Sequence, residues 1–184
     1  MKTKNFIGLA AALMFSACQS NTFHIKGEAK DFADGTILYL TTDLSDGLPT
    51  DSIIVDDGKL SLSGTTDSTL FCRLYVTTVS EPLLTFFIEP GNIYLEMKPA
   101  NAQSRVSGTV INNEWQALND ATTLSDLTIR ELFAFKKDSI NLQQQYATVS
   151  EIYHQLNLKI AETAHRNKDN ALGHFISSHY LGSE

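Results

Sequence analysis

Between Phe23 and about Gly108 the apolar positions come in short runs separated by turn chemistry. Phe23 and Ile25 alternate with polar neighbours, and Leu60 and Leu62 alternate with Lys59, Ser61 and Ser63. Brief apolar runs follow at Ile37 to Leu40, Ile53 to Val55, Phe71 to Val76, Leu83 to Ile88 and Ile93 to Met97. Alternation at period two and apolar runs of this length both read as strands. Asp34-Gly35, Asp46-Gly47 and Asp57-Gly58 lie between them. Of the three, Asp57-Gly58 is the strongest hairpin signal, because Asp-Gly accepts the positive φ values of a tight turn. Pro90 and Gly91 suit the two central positions of a type II turn. Val106 and Val110 are expected in a closing strand. Seven or eight short strands spaced this way predict an antiparallel β-sandwich or open barrel, and not a parallel α/β sheet.

After Gly108 the period lengthens. Asn113 reads as the N-cap of a helix carrying Trp115 and Leu118, and Ser125 as the cap of a second carrying Ile129, Leu132, Phe133 and Ile140. Ser150 and Glu151 open a third stretch with Ile152, Leu156, Ile160 and Ala164 on one stripe. Asp169 is expected to cap a last helix through Leu172, Phe175, Ile176 and Tyr180, ended by Gly182. The predicted fold is therefore mostly β and then α, a sandwich or open barrel followed by a helical segment.

The first residues form a different unit. Lys2 and Lys4 precede an apolar run from Phe6 to Phe15, followed by Ser16, Ala17 and Cys18. The run is shorter than the roughly 20 apolar residues a spanning helix requires, and its layout is that of a secretory signal. Two small residues before a cysteine match the end of a bacterial lipobox, although Phe15 stands where an aliphatic residue is usual. Cys18 is the expected lipidation site. Two or three acyl chains, at about 0.8 kcal/mol per buried methylene, hold far more firmly than one myristoyl group. The chain then divides into a lipoprotein signal peptide at 1–17, a lipidated leash at 18–22, a β-sandwich-like domain at 23–110 and a helical segment at 111–184. The expected location is the bacterial cell envelope, on the periplasmic face of the outer membrane, with the membrane held through the N-terminal lipid.

Charge and candidate chemistry narrow the function. The 184 residues carry a formal charge of -7 and no arginine-rich block, so a nucleic-acid partner is not expected. Cys72 lies in a strand-like run and reads as a buried, inert thiol, since its only charged neighbour, Arg73, points to the other face. His24, His154, His165, His174 and His179 lack metal-ligand spacing. Asp43, Asp46, Asp51, Asp56 and Asp57 do not match a calcium loop and read as turn residues. Glu81, Glu89 and Glu96 suggest no carboxylate pair, and neither a serine elbow nor a phosphate loop occurs. Trp115, Phe133, Phe135 and Tyr146 read as core aromatics of helices packed on a sheet, with a ligand groove as the alternative. No catalytic residue, metal site or cofactor site is assigned.

The order of several motifs resembles a known family. They are Phe23-His24-Ile25-Lys26-Gly27-Glu28-Ala29, Asp34-Gly35-Thr36-Ile37-Leu38-Tyr39-Leu40, Asp51-Ser52, and Asp57-Gly58-Lys59-Leu60. Phe87-Ile88-Glu89-Pro90-Gly91-Asn92-Ile93, Val106-Ser107-Gly108-Thr109 and Asn112-Asn113-Glu114-Trp115 follow in the same order. Together they resemble the domain of unknown function 4369 family, a β-rich domain at the N-terminus of lipid-anchored thioredoxin-like proteins of the TlpA and AhpC/TSA type. The resemblance implies a helical segment leading into a thioredoxin-like domain. No Cys-x-x-Cys pair follows in this chain, so the redox activity transfers to no residue present. Three functions are open at this point: a non-catalytic interaction or spacer module, with an envelope protein as the expected kind of partner; the front part of a thiol-disulfide oxidoreductase; and a ligand-binding β-sandwich with an unknown small-molecule ligand.

Overall fold

A computed structural model describes residues 21–42, 48–76, 81–99, 103–134 and 142–182. Eight strands precede three helices: β1 (Thr22–Glu28), β2 (Ile37–Thr41), β3 (Asp51–Ile54), β4 (Lys59–Thr65), β5 (Leu70–Val76), β6 (Leu84–Ile88), β7 (Gly91–Glu96), β8 (Arg105–Ser107), α1 (Val110–Ala134), α2 (Leu142–Arg166) and α3 (Ala171–His179). They form two four-stranded sheets. One has the order β4-β1-β7-β8 and the other β3-β2-β5-β6. All neighbouring pairs are antiparallel except β1 and β7, which run parallel with Ile25 opposite Ile93. The expected sandwich is present, followed by helices.

Inward alternation builds the core. Ile25, Leu60, Ile93, Leu95 and Val106 from the first sheet, and Leu38, Leu40, Cys72, Leu74 and Phe86 from the second, are buried in one apolar cluster. The outer face of the first sheet is solvated, with His24, Lys26, Ser61, Ser63, Asn92, Tyr94 and Glu96 exposed. The second sheet differs, because β6 buries Phe87 on its outer side as well as Phe86 on its inner side. Helices cover that outer side.

The two turns singled out in the sequence both carry the chain from one sheet to the other. Asp57 and Gly58 take φ values of 47° and 66°, the left-handed pair of a type I′ turn. Asp56 and Lys59 exchange two backbone hydrogen bonds of 2.9 Å across it. The pairing ends after that single bridge, since β3 continues in one sheet and β4 in the other. Pro90-Gly91 likewise connects β6 to β7 across the sandwich, with Gly91 at φ 130°.

Several expected boundaries move. Val110 is not in a closing strand; it starts α1 and is 75 % exposed. The chain turns at Gly108, whose φ is 105°, and the first helical bond runs from Asn113 N–H to Thr109 C=O. Asn113 therefore sits inside the helix, and its Oδ1 reaches back to accept the Gly108 N–H at 3.1 Å. Ser125 caps nothing. It lies mid-helix and its hydroxyl bonds the Ala121 carbonyl, one turn back, at 2.9 Å, the alternative use of a serine in a continuous helix. Ser150 is likewise inside α2. The cap of α3 is Asn170 and not Asp169, with its Oδ1 accepting the Leu172 and Gly173 N–H groups at 2.9 and 3.2 Å. Asp46-Gly47, Phe135 and Ile140 lie outside the described residues.

α1 and α2 form an antiparallel pair along a seam with alternating three- and four-residue spacing. Leu118, Thr122, Ser125, Ile129 and Leu132 on α1 are buried or half-buried, as are Gln145, Val149, Ile152, Leu156, Ile160 and Thr163 on α2. Arg166 joins Glu114 at one end at 2.8 Å, and Gln145 Nε2 reaches the Leu132 carbonyl at the other at 3.2 Å. This arrangement corrects the reading of the helical aromatics. Trp115 is core, Phe133 is half-buried, and Tyr146 is 65 % exposed. Tyr146 belongs to a stretch of α2 whose neighbour is a single helix, which covers only one narrow stripe.

Candidate functional site

α1 is the element that joins the two sheets. Asn112, Trp115 and Gln116 share one helical face by their spacing, and each bonds the backbone of a strand at the margin of a sheet. Asn112 is fully buried. Its Oδ1 accepts the Phe87 N–H at 2.8 Å, while its Nδ2 donates to the Phe87 carbonyl at 2.8 Å and to Thr109 Oγ1 at 2.8 Å. The amide thus imitates a neighbouring strand along β6. Trp115 adds a bond from its indole N–H to the Thr85 carbonyl at 2.9 Å. On the other sheet, Gln116 Oε1 accepts the Val106 N–H of β8 at 2.8 Å. One helix therefore closes the margins of both sheets, satisfying backbone groups that would otherwise be left unpaired.

Apolar contacts reinforce this closure. Phe71, Phe87, Trp115 and Phe175 form a four-ring cluster with centroids 4.2 to 5.9 Å apart, mostly edge to face, a geometry favoured by the ring quadrupoles. Phe175 brings α3 onto the same patch, and His179 stacks on its other side at 4.1 Å.

Beside Gln116 lies a cleft of about 480 Å³ between α1 and strands β7 and β8, lined by Tyr94, Arg105, Ser107, Asn113, Gln116 and Asp120 among others. Arg105 holds Asp120 through two bonds of 2.9 and 2.7 Å, and Gln116 Nε2 donates to the same carboxylate at 2.8 Å. The guanidinium bond, helped by Gln116, holds the Asp120 carboxyl below its usual range, while the carboxylate pushes Arg105 up. Both side chains remain substantially exposed, so the pair adds modest stability. The groups that converge here bond to one another and to β8. Their chemistry is that of a clamp.

The residues singled out in the sequence are dispersed. Cys18 lies outside the described residues. Cys72 is completely buried on the inner face, and burial pushes its thiol up to about 12. Its native form should resist iodoacetamide at pH 8 and react only as denaturant unfolds the chain. Mass spectrometry of the Cys72 peptide across a urea series checks this, and rapid labelling in buffer would contradict it. His24 bonds Ser63 at 2.8 Å on the solvated sheet face, and His154, His165 and His174 are exposed on the helices. Among the described residues no three His, Cys, Asp or Glu side chains gather into a metal-binding group. Asp51 caps the Ser52 N–H at 2.7 Å and Asp57 shapes its turn; Asp43 and Asp46 lie outside the described residues. Glu96 pairs with Lys98 at 3.3 Å, and Glu81 is exposed.

Asn112 and Gln116 do not stand out in the sequence as a functional pair. Their signal is an amide pair four residues apart, flanking Trp115 on a helix face that is otherwise apolar, where a polar side chain needs a buried partner.

Comparison with known proteins places the chain by family. No curated protein matches it. Among solved structures, the solution structure of the first CBM25 module of a β/α-amylase from Paenibacillus polymyxa is similar with a TM-score of 0.33 and 7 % identity, covering 50 % of this chain and 94 % of that one. So low a score bears on neither fold nor ligand. The profile of a domain of unknown function, DUF4369, matches residues 23–115, which run from β1 to Trp115 and take in both sheets and the start of the closing helix. The chain belongs to the DUF4369 family.

Proposed function

We propose that this DUF4369 protein is a lipid-anchored module of the bacterial cell envelope, tethered through Cys18 and serving as a non-catalytic interaction or spacer domain. The observation that carries the reading is the order Lys2, Lys4, apolar run, Ser16-Ala17-Cys18, ending four residues before β1 begins at Thr22. A leash this short reaches about 14 Å at most, so the sandwich stays close to the lipid. The non-catalytic part of the reading is supported by the α1 cleft, where Arg105, Asp120 and Gln116 bond one another, and by the raised, buried Cys72 thiol. The outer membrane, facing the periplasm, is the proposed location. Under the family resemblance, a place in front of a thioredoxin-like domain is the second form of the same role, with the sandwich acting as spacer between lipid and catalyst.

The test is direct. Mass spectrometry of the N-terminal peptide from membranes should show a diacylglyceryl group on Cys18 and no residue before it. Cys18→Ala should move the protein into the soluble fraction. An unmodified Cys18 with the leader still attached would overturn the anchor.

A further inference from the structure

Two open sheets have four margins: two are capped by side chains of α1, one is a short strand and one is a long open strand. β6 is covered by Asn112 and Trp115, β8 by Gln116, and β3 has only four residues with its Ser52 N–H taken by the Asp51 carboxylate. β4 is different. The Gly58 carbonyl accepts from Ala29 and the Thr66 N–H donates to Asn21, so even-numbered residues of this strand turn their backbone groups toward β1 and odd-numbered residues turn theirs away. Lys59 commits its outward groups to Asp56. Ser61, Ser63 and Thr65 follow with outward N–H and C=O groups, on a seven-residue strand without proline, bulge or further charge. An edge of that kind is a ready template for another strand.

We propose that β4 pairs antiparallel with β4 of a second copy, about a two-fold axis at Ser63. The strand is self-complementary in this register. Ser63 faces Ser63, Ser61 faces Thr65, and Leu62 faces Gly64 on the inner side, where both are only half-buried in the single chain. Beyond the strand, this register brings Lys59 of each copy toward Asp67 of the other, two residues past β4, exposed and held by Asn21 of its own chain at 2.9 Å. Opposite charges facing each other support a register, and like charges oppose it. Centring the pair on Leu62 instead sets Asp57 against Asp67. The odd-numbered pairs around Ser63 supply about six backbone hydrogen bonds, and the two solvated sheets join into one. The axis stands perpendicular to the sheet. Thr22 neighbours Thr65, so the two leashes start roughly 20 Å apart by strand spacing, a separation that suits two anchors in one leaflet.

The test uses the full chain in detergent micelles. Sedimentation velocity should give a dimer. Lys59→Asp and Asp67→Lys should each weaken it about tenfold, from two reversed pairs, and the double variant should restore it. Circular dichroism checks that each variant is folded. Independently, Ser63→Cys should cross-link between copies under mild oxidation, while Ser107→Cys on β8 should not. A monomer at all concentrations, reversals without effect, or equal cross-linking at the two positions would overturn the proposal.

Discussion

Asn112→Leu should lower the unfolding free energy by about 3 kcal/mol, although leucine fills nearly the same volume. The loss comes from β6. Asn112 gives Phe87 both a donor and an acceptor at 2.8 Å in a fully buried place, and leucine supplies neither. An orphaned buried backbone group costs about 1–3 kcal/mol, and two are created here. Chemical denaturation followed by circular dichroism reads the change, which for a chain of this size corresponds to a midpoint lower by about 10 °C. Asn112→Asp should be at least as damaging, because it loses the donor to Phe87 and buries a carboxylate that has no cationic partner among the described residues. A loss below about 1 kcal/mol for the leucine variant would show that water satisfies the β6 margin and that α1 is not its cap.

Gly27→Ala should cost about 3 kcal/mol as well, for a steric reason. β1 lies between β4 and β7, and a methyl group on Gly27 would stand 2.0 Å from the Leu95 carbonyl oxygen and 2.8 Å from its carbon. The obstacle is the backbone of the parallel neighbour, so relief requires β1 and β7 to separate. Gly64 provides the comparison. There the added methyl would meet the tip of the Phe23 ring at 2.7 Å, the far end of a side chain, which shifts more readily than a strand backbone. Gly64→Ala should therefore cost nearer 1 kcal/mol. Parallel urea titrations of the two variants check the ranking, and equal losses would refute the argument from backbone contact.

The two glycines also show where sequence and structure part company. Both look alike in the chain as small residues within strand-like runs. Only pairing reveals that one meets a carbonyl and the other a ring. The helices teach the same lesson. Ser125 and Ser150 are good caps by local chemistry, yet each sits inside a 25-residue helix, because the seam between α1 and α2 continues past them and packing outweighs a propensity difference of a few tenths of a kcal/mol. Asn112 and Gln116 are recognisable as polar residues on an apolar face, but not as closures of two different sheets.

The features legible in the residues alone are local: the strand runs, the Asp57-Gly58 and Pro90-Gly91 turns, the change to helical period after Gly108 and the family motifs that thread through them. These depend on side-chain alternation and on backbone angles within a few residues. The rest was settled only in three dimensions: β1 pairs with β7 in parallel, both turns change sheets, one helix closes two margins and, among the described residues, no strand pairs with the outer side of β4. Each of these depends on hydrogen bonds between groups far apart in the chain. A strand's own residues do not specify which neighbour its outward N–H and C=O groups will meet.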